Sequence, residues 1–485
     1  MQLEIATGFY QSDSLPLAAQ RCINWIPIVP QAEALSQRAL FEPWGIVQQT
    51  LTGDTINGLN RGSQVVNGVP YFVNGNNLYS FTSGGVVTDH GQIEGTGRVS
   101  LANNGQYLVI VDPGNKSYVF NNESSTLSQI TDNDFVVADD VDFKDGYFIF
   151  SSSDGDIFFI SNLNDPFTYT ATDFSGADVR PDKIIGVHVN QNELFVAGEE
   201  TIELFQNVGG SGFPFSRVEG ADLQKGVHAK NSLINFDNSF VFLGGDVNEL
   251  TAVWRYSGGG TEKISTSTID NAIQEFTEDE ISEAYAMTYA FGGNYFCAFT
   301  FESSTIPSKT FVYDATTSAL TSERVWHERQ SGVVDDKWRV KSIVSAYGDL
   351  YVGDSEDGRV GVLDKDTYDE YGEVIFRMKT SQPFKDQQMF PLFVSQMKLG
   401  MESGVGLISD DDAPQVRMDF SDDGARTWSN EFWRSYGQIG EYTAYPTWRR
   451  LGRVPRNRVV RFKTSEKVKS VVHRLDADFI QGVQM

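Results

Sequence analysis

What most constrains this chain is a two-strand unit that recurs along most of its length. Each copy opens with an alternating strand, turns through Asn, Asp or Gly, and returns with a second strand rich in aromatic and aliphatic residues. The copies are VPYFVNGNNLYSF (69–81), QYLVIVDPGNKSYVF (106–120), GYFIFSSSDGDIFFI (146–160), ELFVAGEETIELF (193–205), SFVFLGGDVNELTAVWRY (239–256), YFCAFTFESSTIPSKTFVY (295–313) and DLYVGDSEDGRVGVL (349–363). Asn-Gly and Asp-Gly pairs accompany them at 57–58, 67–68, 104–105, 145–146, 154–155 and 357–358, and such pairs close tight hairpins because they accept positive φ at low cost. Seven copies can be counted, at a spacing of roughly forty to fifty-five residues, the length of a propeller blade. Blade sheets bury their faces only against neighbouring blades, so no copy can fold alone. Two stacked β-sandwiches would also give short strands with turn signals, but not a repeat of this length. The fold class read here is all-β: a β-propeller of six or seven blades, because one unit can equally be assigned to a neighbouring sheet, with an N-terminal arm and a C-terminal antiparallel β-domain.

The repeat spans residues 57–375. Residues 1–56 lack it, and CINWIPIVPQAEALSQRALFEPWGI (22–46) reads as an extended arm that packs on the C-terminal domain. Pro27, Pro30 and Pro43 remove ladder donors, which excludes a central strand at those positions. Residues 376–485 change pattern again and read as the strands of a separate antiparallel domain. DNAIQEFTEDEISEAYAMTY (270–289) reads as helical, with Thr277 placed to cap a short helix whose first turn is acidic, as an insertion between blades.

With 485 residues, burial is not limiting, and a net charge of -27 repels nucleic acid and anionic membranes. The two cysteines, Cys22 and Cys297, have neither metal-ligand nor redox spacing. The N-terminus lacks a basic region followed by an apolar run, and no apolar run of about 18 residues occurs. The expectation is a chain made in the cytoplasm, without a standard secretion signal and without membrane insertion.

Catalytic constellations are thin. His90, His188, His228, His327 and His473 are scattered, with no pair at metal spacing. The acidic clusters at 132–146, 151–156 and 409–414 lack the order of a calcium loop and read as solvated carboxylates. FSDDGARTWS (420–429) looks like the Asp-box of sialidases and related propellers: Ser421, Asp423, Thr427 and Trp428 fit, but Gly424 falls one place early and Ala425 takes its position. A sialidase would also need an arginine set and a tyrosine nucleophile with a carboxylate partner. The single copy outside the blades is therefore expected to be a turn staple, in which Ser421 and Asp423 bond the turn's own backbone and Trp428 packs beneath it. No catalytic residue, metal or cofactor is expected. TWRRLGRVPRNRVVRFKTSEKVKS (447–470) concentrates Arg449, Arg450, Arg453, Arg456, Arg458 and Arg461 with three lysines in an otherwise acidic chain. Arginine pairs bidentately with carboxylates and stacks on aromatic rings, so this is a candidate interface; the plain alternative is a solvated strand face.

Several segments also occur in a telling order: INWIPIVP (23–30), ALFEPWGI (39–46), GTGRVSLANNGQYLVIVD (95–112), IIGVHVNQNELFVAGEETIELFQN (184–207), QKGVHAKNSLINFDNSFVFLGG (224–245), TFVYDATTSALTSERVWHER (310–329), and the C-terminal pair FSDDGARTWSNE and WRRLGRVPRNRVVRFK. Along nearly the whole chain this order resembles the packaged-DNA stabilisation proteins, or tail hub (nozzle) proteins, of short-tailed bacteriophages. The resemblance implies a structural virion protein in a homohexameric ring below the portal and its adaptor ring. Such a ring seals the packaged genome, carries tail spikes or fibres, and forms part of the ejection channel, through which genomic DNA passes without specific binding. It implies a subunit or adaptor contact for the six arginines, an adaptor-facing ring built from the arm and C-terminal domain, and a peripheral propeller. A negative lumen would let DNA slide, where a basic one would hold it through counterion release. The alternatives are a propeller scaffold in a cellular complex and a glycan-binding or sialidase-like propeller. The latter predicts an aromatic-lined pocket with a convergent Arg or carboxylate pair.

Overall fold

The computed structural model describes residues 1–177, 180, 182–210, 212–385, 392–406 and 413–481, and among them seven sheets take up the repeat. Blade 1 consists of Asn60–Val66, Val69–Asn74, Asn77–Phe81 and Val86–Gln92; the following blades begin at Ser100–Asn103, Ala138–Lys144, Ile184–Asn190, Gly226–Val227, Tyr285–Phe291 and Val340–Ala346. The ring closes where Val340–Ala346 meets Asn60–Val66, which fixes the count at seven blades among the described residues.

Burial explains why the middle strands read as apolar runs. In blade 3, Phe148 and Phe150 face the core shared with blade 2, while Ile149 between them faces the core shared with blade 4. In blade 2, Leu108 and Ile110 face blade 1, and Val109 and Val111 face blade 3. Both faces of each pleat are covered, so the alternation of a half-exposed strand disappears. At the closure, Phe72, Tyr79 and Phe81 of blade 1 pack on Val344, Ala346 and Tyr351 of blade 7.

The fourth strand of blade 7 comes from the N-terminal arm: Gly45–Gln48 pairs antiparallel with Val360–Asp364. A Cβ on Gly361 would stand 2.4 Å from the Ile46 Cγ2, so only glycine admits the arm there. The rest of the arm enters the C-terminal sandwich. One sheet runs Thr447–Val454, Leu392–Met401, Val472–Gln481, Ala39–Phe41 and Ile26–Ile28, so Pro27 lies in an edge strand and no ladder partner misses its N–H. The other sheet is continuous with blade 6: Trp326–Arg329 pairs with Cys22–Ile23, and these lead through Arg377–Thr380 and Val459–Thr464 to Gln415–Ser421 and Phe432–Ser435. Trp25, Leu40, Met397, Leu399, Val416, Met418, Trp448, Phe462 and Leu475 fill the space between the two sheets.

The stretch read as helical over 270–289 becomes two short helices, Ser267–Ile273 and Glu278–Ser282, between blades 5 and 6. Thr277 caps the second through a reciprocal pair with Glu280, at 3.3 and 3.0 Å. Residues 285–289 belong instead to the strand Tyr285–Phe291, where Tyr285, Met287 and Tyr289 alternate into the core with blade 7. The helix Ala315–Thr321 has no counterpart in the sequence reading; Asp314 caps it by accepting from the Thr317 N–H at 2.9 Å.

Candidate interaction surface

The 420–429 stretch follows the strand Gln415–Ser421 and folds into a self-bonded turn. Ser421 Oγ accepts from the Ala425 N–H at 2.9 Å and donates to Asp423 Oδ1 at 2.7 Å. Asp423 in turn accepts from the N–H groups of Arg426 and Thr427, at 3.0 and 2.9 Å, and from the Thr427 hydroxyl at 2.6 Å. These donors, the Thr427 hydroxyl first, hold the Asp423 carboxyl well below the usual carboxylate range. Gly424 and Ala425 both have left-handed φ, at 78° and 67°, so the displaced glycine leaves an alanine in a conformation glycine would take more cheaply. Gly424 is buried against Pro16, since a Cβ there would lie 2.8 Å from the Pro16 ring. The Trp428 ring is covered by the Arg461 guanidinium at 3.7 Å. The polar side chains of Ser421, Asp423 and Thr427 are thus used within the turn itself.

The six arginines divide into two groups. Arg458 is buried, makes a bidentate pair with Asp422 at 2.6 and 2.7 Å, donates to the Leu451 and Arg453 carbonyls, and lies 3.9 Å over the Phe420 ring. Arg461 reaches Asp419 at 3.0 and 2.6 Å, and Lys463 joins the same carboxylate at 2.9 Å. Asp419 faces Arg461 across the ladder, so this charge is internal neutralisation within one sheet. Arg449, Arg450, Arg453 and Arg456 are exposed instead. Strand pairing separates the groups: Arg458 and Arg461 lie beside the core residues Val459, Val460 and Phe462, with Asp419 on the paired strand.

A buried polar seam, which sequence reasoning missed, joins the arm to both units. Asn24 is fully buried at φ 49°; its Nδ2 donates to the Gln330 and Phe376 carbonyls at 2.8 and 2.9 Å, and its Oδ1 accepts from the Gln330 N–H at 3.2 Å. Arg21 makes a bidentate pair with Glu328 at 2.7 and 2.8 Å, and the Lys379 ammonium, its pKa lowered by burial, donates to the Thr7 and Gly8 carbonyls. An asparagine among apolar residues before a proline carries no periodic signal, so only the fold reveals it.

Among the described residues no group of three His, Cys, Asp or Glu could hold a metal. His90, His188 and His228 bond Ser80, Asn235 and Thr251, on separate blade elements. Of the acidic cluster at 409–414, residues 409–412 lie outside the described residues. A cavity of about 480 Å³ opens at the mouth of the propeller, lined by Arg98, Asp112, Asp139, Asp154, Lys183 and Lys230 among others, and no described lining residue is Phe, Tyr or Trp. Three of its charges are committed: Asp112 pairs with the buried Arg61 at 2.6 Å, Lys230 bonds the Asp139 carbonyl, and Arg98 bonds the Lys341 carbonyl. The aromatic platform that a glycan site needs is missing from this mouth.

Compared with known proteins, residues 1–368 match the family model described as the β-propeller of bacteriophage P22 Gp10, and residues 376–479 match the model described as its β-sandwich. The chain is 24% identical over 440 residues to the tail hub protein gp10 of Salmonella phage P22, covering 86% of each chain. Among solved structures, it is similar at a TM-score of 0.38 to the computationally designed Ika8 protein, with 14% identity, 71% of this chain and 100% of that chain. It is similar at 0.39 to the extracellular domain of a hybrid two-component system from B. thetaiotaomicron, with 11% identity, 75% of this chain and 45% of that chain. Scores this low carry no argument.

Proposed function

The chain belongs to the bacteriophage P22 Gp10 family, and on that premise we propose that it is a structural tail hub of a short-tailed phage virion. In this reading it seals the packaged genome below the portal and adaptor rings and forms part of the channel for DNA ejection. It works as a homohexamer carrying spikes or fibres, and has no catalytic role. The observation that supports this most is the continuous, ordered match of propeller and sandwich over residues 1–368 and 376–479. We divide the chain functionally into an arm (1–56), a propeller (57–375) and a sandwich (376–485), with Arg449, Arg450, Arg453 and Arg456 at a subunit or adaptor contact. Arg458 and Arg461 support that surface from within, and the Ser421–Trp428 turn is a staple.

The test is to make particles without this chain. Heads are expected to package DNA and then lose it, and a labelled chain supplied afterwards is expected at the portal vertex of sealed particles. Heads that retain a full genome without it would refute the sealing role.

A further inference from the structure

We propose that one edge of the sandwich docks a second copy of this chain, by seating on the acidic helical segment of that copy. The edge strands of the two sheets, Phe432–Ser435 and Thr447–Val454, run side by side there. The Trp448 indole donates to the Phe432 carbonyl at 2.9 Å, and Arg434 Nε donates to the Thr447 carbonyl at 3.0 Å, so the edge is fixed. Along it and the loop that joins the two strands, Trp433, Ile439, Tyr442 and Tyr445 are 51%, 52%, 72% and 55% exposed. Arg449, Arg450, Arg453 and Arg456 project from the same region without an ion-pair partner among the described residues. Exposed Trp, Tyr and Arg together are the composition of interface hot spots, and a merely solvated strand has no use for the aromatics. Arg450 and Leu451 bulge opposite Ser395, with Arg450 at φ 58°. The bulge interrupts the edge ladder and disfavours addition of another strand, which leaves recognition to the side chains.

Charge identifies the occupant. The chain carries -27 overall, so these unpaired guanidinium groups are a local exception that calls for carboxylates. A second copy offers them on the segment between blades 5 and 6, where Glu275, Glu278, Asp279 and Glu283 are exposed and have no ion-pair partner among the described residues. That segment is rigid: Thr277 caps its second helix, and Phe276 and Ile281 anchor it in the core between the blades. Guanidinium groups beside aromatic rings match such carboxylates in charge and geometry. Contact between two different faces is heterologous, and with the right rotation it closes into a ring. The contact rests on the tail-hub reading only for that ring. A DNA duplex is disfavoured as occupant by the charge of the whole chain.

The test is sedimentation velocity of the full chain at low ionic strength. The wild type is expected to associate with rising concentration and to dissociate in about 0.5 M salt, where surface pairs are screened. An edge variant (Arg449→Glu, Arg450→Glu, Arg453→Glu) and a helix variant (Glu275→Lys, Glu278→Lys, Asp279→Lys) should each be monomeric with unchanged melting temperatures. Mixed together they should form dimers and nothing larger, since each keeps one half of the contact, and both reversals in one chain should restore association. An edge variant that associates like the wild type overturns the proposal. So does wild type that binds duplex DNA through this edge instead of a second copy. A chain that stays monomeric but occupies the portal vertex of particles overturns the contact alone; one that associates by this edge but is absent from particles overturns the tail-hub reading alone.

Discussion

Asn24→Ala tests whether the propeller and the sandwich are clasped through the arm. The substitution removes three buried hydrogen bonds, to the Gln330 carbonyl, the Phe376 carbonyl and the Gln330 N–H. At about 1 kcal/mol each they account for about 3 kcal/mol. The residue also holds φ at 49°, which costs a β-carbon-bearing residue without a local hydrogen bond about 1 kcal/mol more. Asn24→Ala is therefore expected to lose about 4 kcal/mol, and Asn24→Gly, which relieves the backbone, about 3 kcal/mol. The assay is urea unfolding followed by tryptophan fluorescence, because Trp25 and Trp326 are buried on either side of the clasp. The wild type should unfold in one transition, since blade 6 and the sandwich share a sheet, and the alanine variant should separate into two. A loss below about 1 kcal/mol with a single transition would refute the clasp, because even one buried bond is worth that much. Equal losses for alanine and glycine would refute the backbone part.

Arg458→Ala, which strands Asp422 and uncovers Phe420, is expected to cost about 3 kcal/mol, whereas Arg456→Ala, at an exposed and unpaired position, should leave chemical denaturation unchanged. Burial, with Asp140 nearby, pushes the Asp142 carboxyl up to about 7 although the Val189 and Phe143 N–H groups bond it. A raised folded pKa means that the native state binds the proton more tightly, so stability from this group falls as pH rises from about 4 to about 7. Asp142→Asn should therefore gain more on the wild type at about pH 8 than at about pH 4.5, and equal shifts in melting temperature at the two values would count against that assignment. Asp423→Ala should speed amide exchange at Arg426 and Thr427 while leaving the blades protected; unchanged exchange at both amides would show that the turn does not need its carboxylate.

How much was legible depended on where each signal lay in the chain. The two middle strands of each blade declared themselves because both faces are covered, as with Phe148, Ile149 and Phe150. Outer strands such as Thr126–Gln129 are mostly exposed and carry no pattern. The arm was harder. Its strands Cys22–Ile23, Ile26–Ile28 and Ala39–Phe41 are too short to show a period, and their partners, such as Lys379 opposite Cys22, lie hundreds of residues away. Proline chemistry excluded only a central strand there, and Ile26–Ile28 is an edge strand. The arginine cluster was visible as charge, but its division was not, because it depends on Asp419 and Asp422 arriving from another strand. In the 420–429 turn the hydrogen-bonding residues were legible, while the cover over Trp428 was not, since Arg461 reaches it only through strand pairing.

The arm also bears on how a hub of this shape withstands force. Gly45–Gln48 completes blade 7, Cys22–Ile23 carries the sheet of blade 6 into the sandwich, and Ile26–Ile28 with Ala39–Phe41 extends the opposite sheet. One short stretch of chain thus holds the ring shut and fixes the ring to the sandwich through backbone hydrogen bonds rather than through a linker. Two domains joined by a polar linker move relative to each other by default, whereas units that share a sheet cannot do so without breaking its ladder. For a protein proposed to seal a packaged genome, the consequence is that force on the sandwich passes into the propeller as strain in one body. Ring closure has a kinetic cost, because these pairings join residues hundreds of positions apart and must wait for both units to form. The arm is accordingly the segment whose loss should open both the ring and the joint together.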